Sequence, residues 1–484
     1  MIRSKFVDIL NAFSEEEISD FGKYVNSPYF NTNKKLISAF GFFRKYSGRY
    51  NSNGCTKEKL YEEVFGGTGY RDTEVRKILS ALTRLAEGFL AQKVFENDEF
   101  ERNIGLAGKL ISKGLISPAE KLVAALEEAA SNEKINGQHS FYELMRIQAK
   151  KKTIELTKES FQTVDITEDK INVYLLSYFV SFSTKILQNI KAKQYYNLIS
   201  NDTPLSTFFS MADIDSFISW LGNYPDKHTD TLVMNLSIIK CINGNYSNSA
   251  YARFKELLLK NYPLYSALEI NNLFTCLQGI QIERYRENHP DALAEIFEVN
   301  NLILKFEAYS NYPGGNMNYG TFVTMVTIGI AKKEYVWTKD FIAKYTDLLN
   351  EKHRSSLYNY AMAELSYAEG EPGDSLKYTS KIEYEGFFMK HEVNVLKLKI
   401  FYDENDFISM QYQLDTYKKL IEGNKYVGKL QYEMYSGFLK MYSDLLKTKE
   451  KNDSTAAAIL LRKIADTRNL LGKEWLTAKA SELV

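Results

Sequence analysis

The sequence predicts an all-α protein, an array of antiparallel helix pairs preceded by a helical N-terminal module. Three observations carry this prediction. Apolar residues recur at helical spacing, as in the stripe from Val75 to Leu90, whereas the alternation typical of strands is hard to find. Only 8 of the 484 residues are proline, so long helices are rarely interrupted. Helix-start signals are frequent, and the turns between helices are short, which forces neighbours to run antiparallel.

Residues 1–96 form the predicted N-terminal module. Ser14 followed by Glu17 has the spacing of a capping box, in which each side chain satisfies an unpaired backbone amide. A turn rich in Asn and Ser occupies residues 26–31, and a glycine-rich loop occupies residues 65–70. We predict five helices in this module, at 4–11, 15–25, 34–46, 57–65 and 73–92.

The sequence of residues 97–484 predicts a succession of helix pairs. Starts are marked by Ser117-Pro118, by His289-Pro290-Asp291 and by Asp453-Ser454, because these residue types cap a helix or fit its first turn. A subdivision of this segment is expected near residues 200–228. The predicted pairs are 99–113 with 118–131, 140–159 with 166–198, 229–242 with 248–260, 267–287 with 291–308, 317–332 with 337–350, 355–369 with 374–382, 390–403 with 407–421 and 427–448 with 455–471, followed by a last helix at 474–483.

The tripeptide Asn-Tyr-Pro occurs three times, at 223–225, 261–263 and 311–313. Each copy falls where one helix should end and the next pair begin. Proline suits that place because it cannot continue the hydrogen bonding of the preceding helix. We interpret the tripeptide as a marker of the boundary between successive repeats. The alternative is that it recurs by chance, because Asn and Tyr are abundant.

The helix pairs resemble tetratricopeptide repeats, which are helix-turn-helix units of 34 residues. The best local match is Leu106-Ala107, Gly114, Ala119, Val123 and Leu126, and a second match uses Met362-Ala363, Tyr367, Gly370 and Ser375. The tryptophan early in the family's first helix is absent from both, and the repeat spacing drifts. The resemblance implies an irregular tetratricopeptide-like α-solenoid over residues 97–484, with a concave face, lined by first helices, that holds a peptide or a partner protein.

Composition excludes several classes of protein. The 61 basic residues balance the 61 acidic ones, and no large segment is polarised, which argues against a surface that grips nucleic acid or a membrane. The most apolar stretch, 171–190, is interrupted by polar residues and predicts a buried helix rather than a membrane span. Cys55, Cys241 and Cys276 are too far apart to predict a disulfide framework or a metal site. We expect a cytoplasmic protein.

Motifs that would indicate an enzyme are weak. Residues 423–429 match the start of a phosphate-binding loop, but Leu430 stands where Ser or Thr is needed and no strand precedes it. His139 and Glu143 lie one helical turn apart, which is more typical of a surface helix than of a metal site. We therefore expect no catalytic activity, no cofactor and no bound metal.

The leading hypothesis is a non-catalytic scaffold or adaptor that binds a protein or peptide. By the resemblance, the contacts would come from first helices on the concave face. Tyrosine would supply contact area, and Glu and Lys would set the polarity of the partner. Ordinary helix packing is the alternative for each residue. The candidates are Tyr360, Glu364, Tyr367, Glu392, Lys399 and Tyr402.

The alternative hypothesis is a regulator whose N-terminal module binds DNA and whose repeats sense a peptide or protein. A polar helix face after a short loop could enter a DNA groove. Glu74 and Glu87 dilute the positive charge of this helix, so a solvated face is the interpretation we favour. The face consists of Thr73, Arg76, Lys77, Ser80 and Arg84.

Overall fold

The computed structural model describes residues 2–50, 52–67, 69–135, 137–195, 203–224, 228–244, 246–383, 387–422, 429–467 and 470–484. These residues form α-helices and two short 3-10 helices without a strand, so the protein is all-α over the described part. One isolated parallel bridge pairs Ile135 with Tyr265, with the Ile135 amide donating to the Leu264 carbonyl at 2.7 Å.

The chain divides into two compact units. Unit 1 contains residues 1–129 and 150–161, and unit 2 contains residues 130–149 and 162–484. The first unit thus continues past residue 96 and includes two more helices. Helices α7 (Ile116–Asn132) and α8 (Gly137–Thr157) each contribute residues to both units. The other helices of unit 1 are α1 (Lys5–Ala12), α2 (Glu15–Asn26), α3 (Lys34–Lys45), α4 (Lys57–Phe65), α5 (Asp72–Asn97) and α6 (Glu99–Ser112).

Unit 1 is built around aromatic side chains. Phe21 is fully buried, and its ring contacts those of Phe6, Phe13, Phe40 and Phe89 at centroid distances of 6.2, 5.8, 5.0 and 5.5 Å. Tilted and edge-to-face rings at such distances add to the burial energy. Helix α5 packs against α1, α2, α3 and α4 with its apolar stripe, so the opposite side of α5 is left to polar residues.

The helices of unit 2 are α9 (Phe161–Tyr195), α10 (Pro204–Met211), α11 (Ile214–Leu221), α12 (Thr229–Ile242), α13 (Asn248–Asn261), α14 (Ala267–Arg286), α15 (Ala292–Lys305), α16 (Tyr319–Ala331), α17 (Tyr335–Tyr345), α18 (Glu351–Ala368), α19 (Pro372–Thr379), α20 (Phe387–Asp403), α21 (Phe407–Glu422), α22 (Lys429–Lys451), α23 (Ser454–Asp466) and α24 (Lys473–Ser481). From α11 to α24, each helix packs against its neighbours in sequence. Alternate helices also contact one another, as α16 with α18, α18 with α20, and α22 with α24. This packing is compatible with a helical repeat.

One turn geometry recurs between paired helices. A residue with positive φ ends the first helix, and the amide of the next residue donates to a carbonyl five positions back, as Glu371 does to Ser366 at 2.8 Å. This Schellman arrangement satisfies carbonyls that a helix end leaves unpaired. Gly370 adopts φ of 87° without strain, whereas Lys333 adopts 62° against the preference of a side chain. The turn residues are Gly114, Glu159, Asn288, Lys333, Gly370, Asn405 and Asn452.

Most predicted helices agree with the observed ones, and two are missing from the prediction. Helices α10 and α11 have eight residues each and carry start signals, a Thr203–Ser206 capping box before Pro204 and a cap at Asp213. Helix α7 begins at Ile116, so Ser117 lies in its first turn and is not the cap. The subdivision expected near 200–228 falls partly on residues outside the described part, at 200–202 and 225–227.

The Asn-Tyr-Pro copies have different outcomes. Asn261 ends α13, and the 3-10 helix η1 (Tyr262–Leu264) follows it directly, so this copy does mark a helix end. The copy at 311–313 comes after the end of α15. Pro225 lies outside the described residues, as do residues 423–428 of the segment that matches the start of a phosphate-binding loop.

Within the described part of the chain, none of the helices combines the length and the apolar character needed to cross a lipid bilayer.

Candidate functional site

The six residues predicted to contact a partner lie on two helices of unit 2 that pack together, α18 and α20. Steps of three, four and seven residues place each set on one helical face. The two faces meet, because the charges of both Glu364 and Glu392 act on Tyr360. The α18 set is Tyr360, Glu364 and Tyr367, and the α20 set is Glu392, Lys399 and Tyr402.

The two glutamates give this site its electrostatic character. Both are partly buried, and burial raises the pKa of Glu364, which the charge of Lys399 and a hydrogen bond from Tyr360 partly offset. Burial and the nearby charge of Glu364 raise the pKa of Glu392 to about 7, against an opposing effect of Lys399. The charge of a single lysine, Lys399, therefore acts on both carboxylates.

Neither carboxylate is neutralised by an ion pair among the residues that the structure describes. Lys399 influences both but forms no ion pair with either of them in that part of the chain. Near pH 7 the pair carries a negative charge that is only partly compensated and is partly removed from water. A cationic group brought by another molecule would compensate it.

Two of the predicted contact residues are interior. Tyr360 is 4% exposed and packs with Ile382 and Val393. Tyr402 is 2% exposed. Its ring and the Trp475 ring lie in a T-shaped arrangement with their centroids 5.3 Å apart, and the Lys449 ammonium lies 4.0 Å from the centre of the Tyr402 ring. Their rings cannot supply the open contact area that the sequence led us to expect. The reason is packing by helices that follow later in the chain.

Tyr367 is held by a hydrogen-bond chain that joins three helices. Its hydroxyl accepts a hydrogen bond from the indole Nε1 of Trp475 at 2.7 Å and donates to Oδ2 of Asp403 at 2.6 Å. The other oxygen of Asp403 pairs with the Lys479 ammonium at 3.0 Å. Helix α24, the last of the chain, therefore occupies the α18–α20 surface around Tyr367 and Tyr402.

Three residues of this arrangement were missed from the sequence: Asp403, Trp475 and Lys479. Asp403 lies one helical turn after Lys399, so the face already chosen on α20 could have indicated it. Trp475 and Lys479 share one face of the predicted last helix, but nothing in the local sequence links that helix to α18.

An aromatic cluster lies beside Glu392 on α20. His391 is fully buried, stacks on Tyr435 with the ring centroids 4.3 Å apart, and its Nδ1 lies 3.2 Å from the Tyr417 hydroxyl. Burial lowers the pKa of His391 to about 4, so the imidazole is neutral at physiological pH. Adjacent residues on α20 thus have pKa values displaced in opposite directions.

The alternative nucleic-acid face lies on the polar side of α5 in unit 1. All five of its residues are exposed. Ion pairs within the helix partly neutralise it, from Arg76 to Asp72 at 2.5 Å and from Lys77 to Glu74 at 2.9 Å. The five are Thr73, Arg76, Lys77, Ser80 and Arg84.

Across the described residues, no three His, Cys, Asp or Glu side chains lie together in a way that could hold a metal ion. Comparison of the chain with models of known families, with curated protein sequences and with solved structures found no match.

Proposed function

We propose that unit 2 is a non-catalytic protein-binding module that takes a cationic group of a peptide or partner protein against Glu364 and Glu392. One observation carries the proposal: two partly buried carboxylates on packed helices share a single lysine. The fold has already removed much of the water around these acids. A lysine or arginine side chain that reached them would therefore form charge-assisted hydrogen bonds without a further large desolvation of the carboxylates.

We propose further that the helix pairs form an irregular tetratricopeptide-like α-solenoid. The recurring Schellman turn and the contacts between alternate helices support this view. Because α18 and α20 are the first helices of their pairs, such an array would place Glu364 and Glu392 on its concave face. Helix α24 would then close one end of the binding surface, where Trp475 meets Tyr367.

Selection of peptides from a random display library against the full-length protein tests the proposal. We expect the selected peptides to be enriched in Lys or Arg. Affinity for a selected peptide should fall at least about tenfold in the double variant Glu364→Gln/Glu392→Gln, because one charge-assisted hydrogen bond contributes about 1.5–3 kcal/mol. Glu369→Gln is the matched control, since Glu369 is exposed at the end of the same helix. Selected peptides without cationic residues, or equal binding by the double variant, would reject the proposal.

The pH dependence of binding gives a second readout. Glu392 must lose its proton to pair with a cation, and its pKa is about 7. Affinity should therefore rise as the pH increases from 6 to 8, by at most about tenfold per unit below the pKa. The Glu392→Gln variant should lose most of this dependence. A dependence that persists in the variant would place the titrating group elsewhere and contradict the assignment.

A further inference from the structure

Unit 1 contains an open cleft of about 600 Å³ lined by five cationic side chains. They come from three separate stretches of the chain: the residues before and at the start of α1, the first residue of α4, and one face of α5. Their convergence depends on the packing of α1 and α4 against α5. The five are Arg3, Lys5, Lys57, Arg76 and Arg84.

The carboxylates of the region do not balance these cations. Glu87 pairs with Lys5 at 2.6 Å, and Asp72 is shared between Lys57 at 2.8 Å and Arg76 at 2.5 Å. Arg3 and Arg84 form no ion pair with any described residue of unit 1. The cleft therefore carries a net positive charge, with two guanidinium groups available to a ligand.

The remaining wall of the cleft suits an oxyanion. Ser80 places a hydroxyl group between the cations of α5, and Ser4 at the N-terminus of α1 also lines the space. The Thr83 hydroxyl, in contrast, donates to the Leu79 carbonyl at 2.8 Å. Arginine forks and hydroxyl groups are the donors that phosphate oxygens accept from in proteins. The positive end of the α1 dipole adds a small favourable contribution.

The shape favours a small molecule over a nucleic acid duplex. The apolar face of α5, from Val75 to Phe89, is buried against α1 to α4, and Arg3 and Lys57 flank its polar face. The five cationic side chains therefore line one cleft from three separate stretches of the chain, whereas a recognition helix reads a DNA groove from a single element. The volume lies within the range of roughly 300–1,000 Å³ that small-molecule sites occupy.

We propose that this cleft binds a small molecule through a phosphate or diphosphate group. The site is independent of the acidic pair in unit 2, and either assignment can fail without the other. Free diphosphate and a nucleoside diphosphate share the recognised chemistry, and the experiment distinguishes them.

Isothermal titration of the full-length protein with inorganic pyrophosphate, with ADP and with a short DNA duplex tests the site. We expect saturable binding of pyrophosphate or ADP, and tighter binding of ADP if the cleft also contacts a nucleoside. The double variant Arg3→Gln/Arg84→Gln should weaken binding at least about tenfold. Glu87→Gln should strengthen it several-fold, because that change frees Lys5.

Lys77→Gln is the matched control, since it removes one positive charge from α5 outside the cleft. It should change the affinity less than about twofold. Circular dichroism spectra identical to that of the natural protein would show that the variants fold. No binding of either phosphate compound, equal weakening by Lys77→Gln, or tighter binding of the duplex than of either small molecule would overturn the proposal.

Discussion

The indole nitrogen of Trp475 donates a hydrogen bond to the hydroxyl of Tyr367, 2.7 Å away and 108 residues earlier in the chain. The same hydroxyl donates to Asp403 at 2.6 Å, so α24 is joined to α18 and α20 by one polar chain. A second hydrogen bond within unit 2 joins α24 to α14, because the Tyr285 hydroxyl of α14 donates to Glu474 of α24 at 3.0 Å. The last helix thus joins elements that are distant in sequence.

Removal of the Trp475 donor should destabilise unit 2. Trp475→Phe keeps an aromatic ring beside Tyr402 and removes the hydrogen bond, so the free energy of unfolding should fall by about 1–2 kcal/mol in urea denaturation. A double-mutant cycle with Tyr367→Phe should give a coupling energy of at least about 0.5 kcal/mol. Trp220→Phe, at a 57% exposed tryptophan, should change little. Additive effects of the two changes would contradict a direct bond between these residues.

The stability cost of Glu392 should depend on pH. Its pKa is raised from 4.5 to about 7 in the folded protein, so the folded state binds more protons than the unfolded state between these values. Stability from this residue is therefore fully present below pH 4.5 and is lost as the pH rises through 7. Glu392→Gln should match the natural protein near pH 4.5 and exceed it at pH 8 by up to about 3 kcal/mol.

Denaturant titrations of both proteins at pH 5, 6, 7 and 8 measure this difference. Glu369→Gln again serves as the exposed control and should show no trend. A Glu392→Gln effect of the same size at every pH would mean that the ionisation of Glu392 does not differ between the folded and unfolded states.

His391 should produce the opposite trend. Burial lowers its pKa from 6.5 to about 4, so the unfolded state binds more protons in that window. The contribution of His391 to stability is present above pH 6.5 and is lost as the pH falls through 4. His391→Phe should remove up to about 3 kcal/mol of this acid sensitivity, although it gives up the contact with Tyr417 at every pH. Measurement in the Glu392→Gln background isolates the trend, and His139→Phe, at an exposed histidine, should leave it intact.

The turn between α18 and α19 offers a matched pair of glycine substitutions. Gly370 has φ of 87° with open space around it, so Gly370→Ala should cost about 1 kcal/mol through backbone strain alone. Gly373 lies in α19 without a positive φ and also has open space, so Gly373→Ala should be neutral or stabilising. Thermal unfolding of the two variants measures both effects. Equal shifts in the same direction would argue against the left-handed turn.

Local signals were sufficient to predict most helices. The capping box of Ser14 and Glu17 and the cap at Asp453 lie where the sequence placed them, because a cap involves only residues three positions apart. Helices α10 and α11 were missed although Thr203-Pro204 and Asp213 mark their starts. With eight residues each, they are too short for a clear helical period.

The candidate site was predicted only in part. The sequence alone determined that Tyr360, Glu364 and Tyr367 share one face of a helix, and that Glu392, Lys399 and Tyr402 share another, because helical spacing is a local property. Only the tertiary structure decided which of these residues stay accessible. Trp475 covers Tyr402, and burial beside Glu364 raises the pKa of Glu392, since burial depends on helices that are distant in sequence and meet only when the chain is folded.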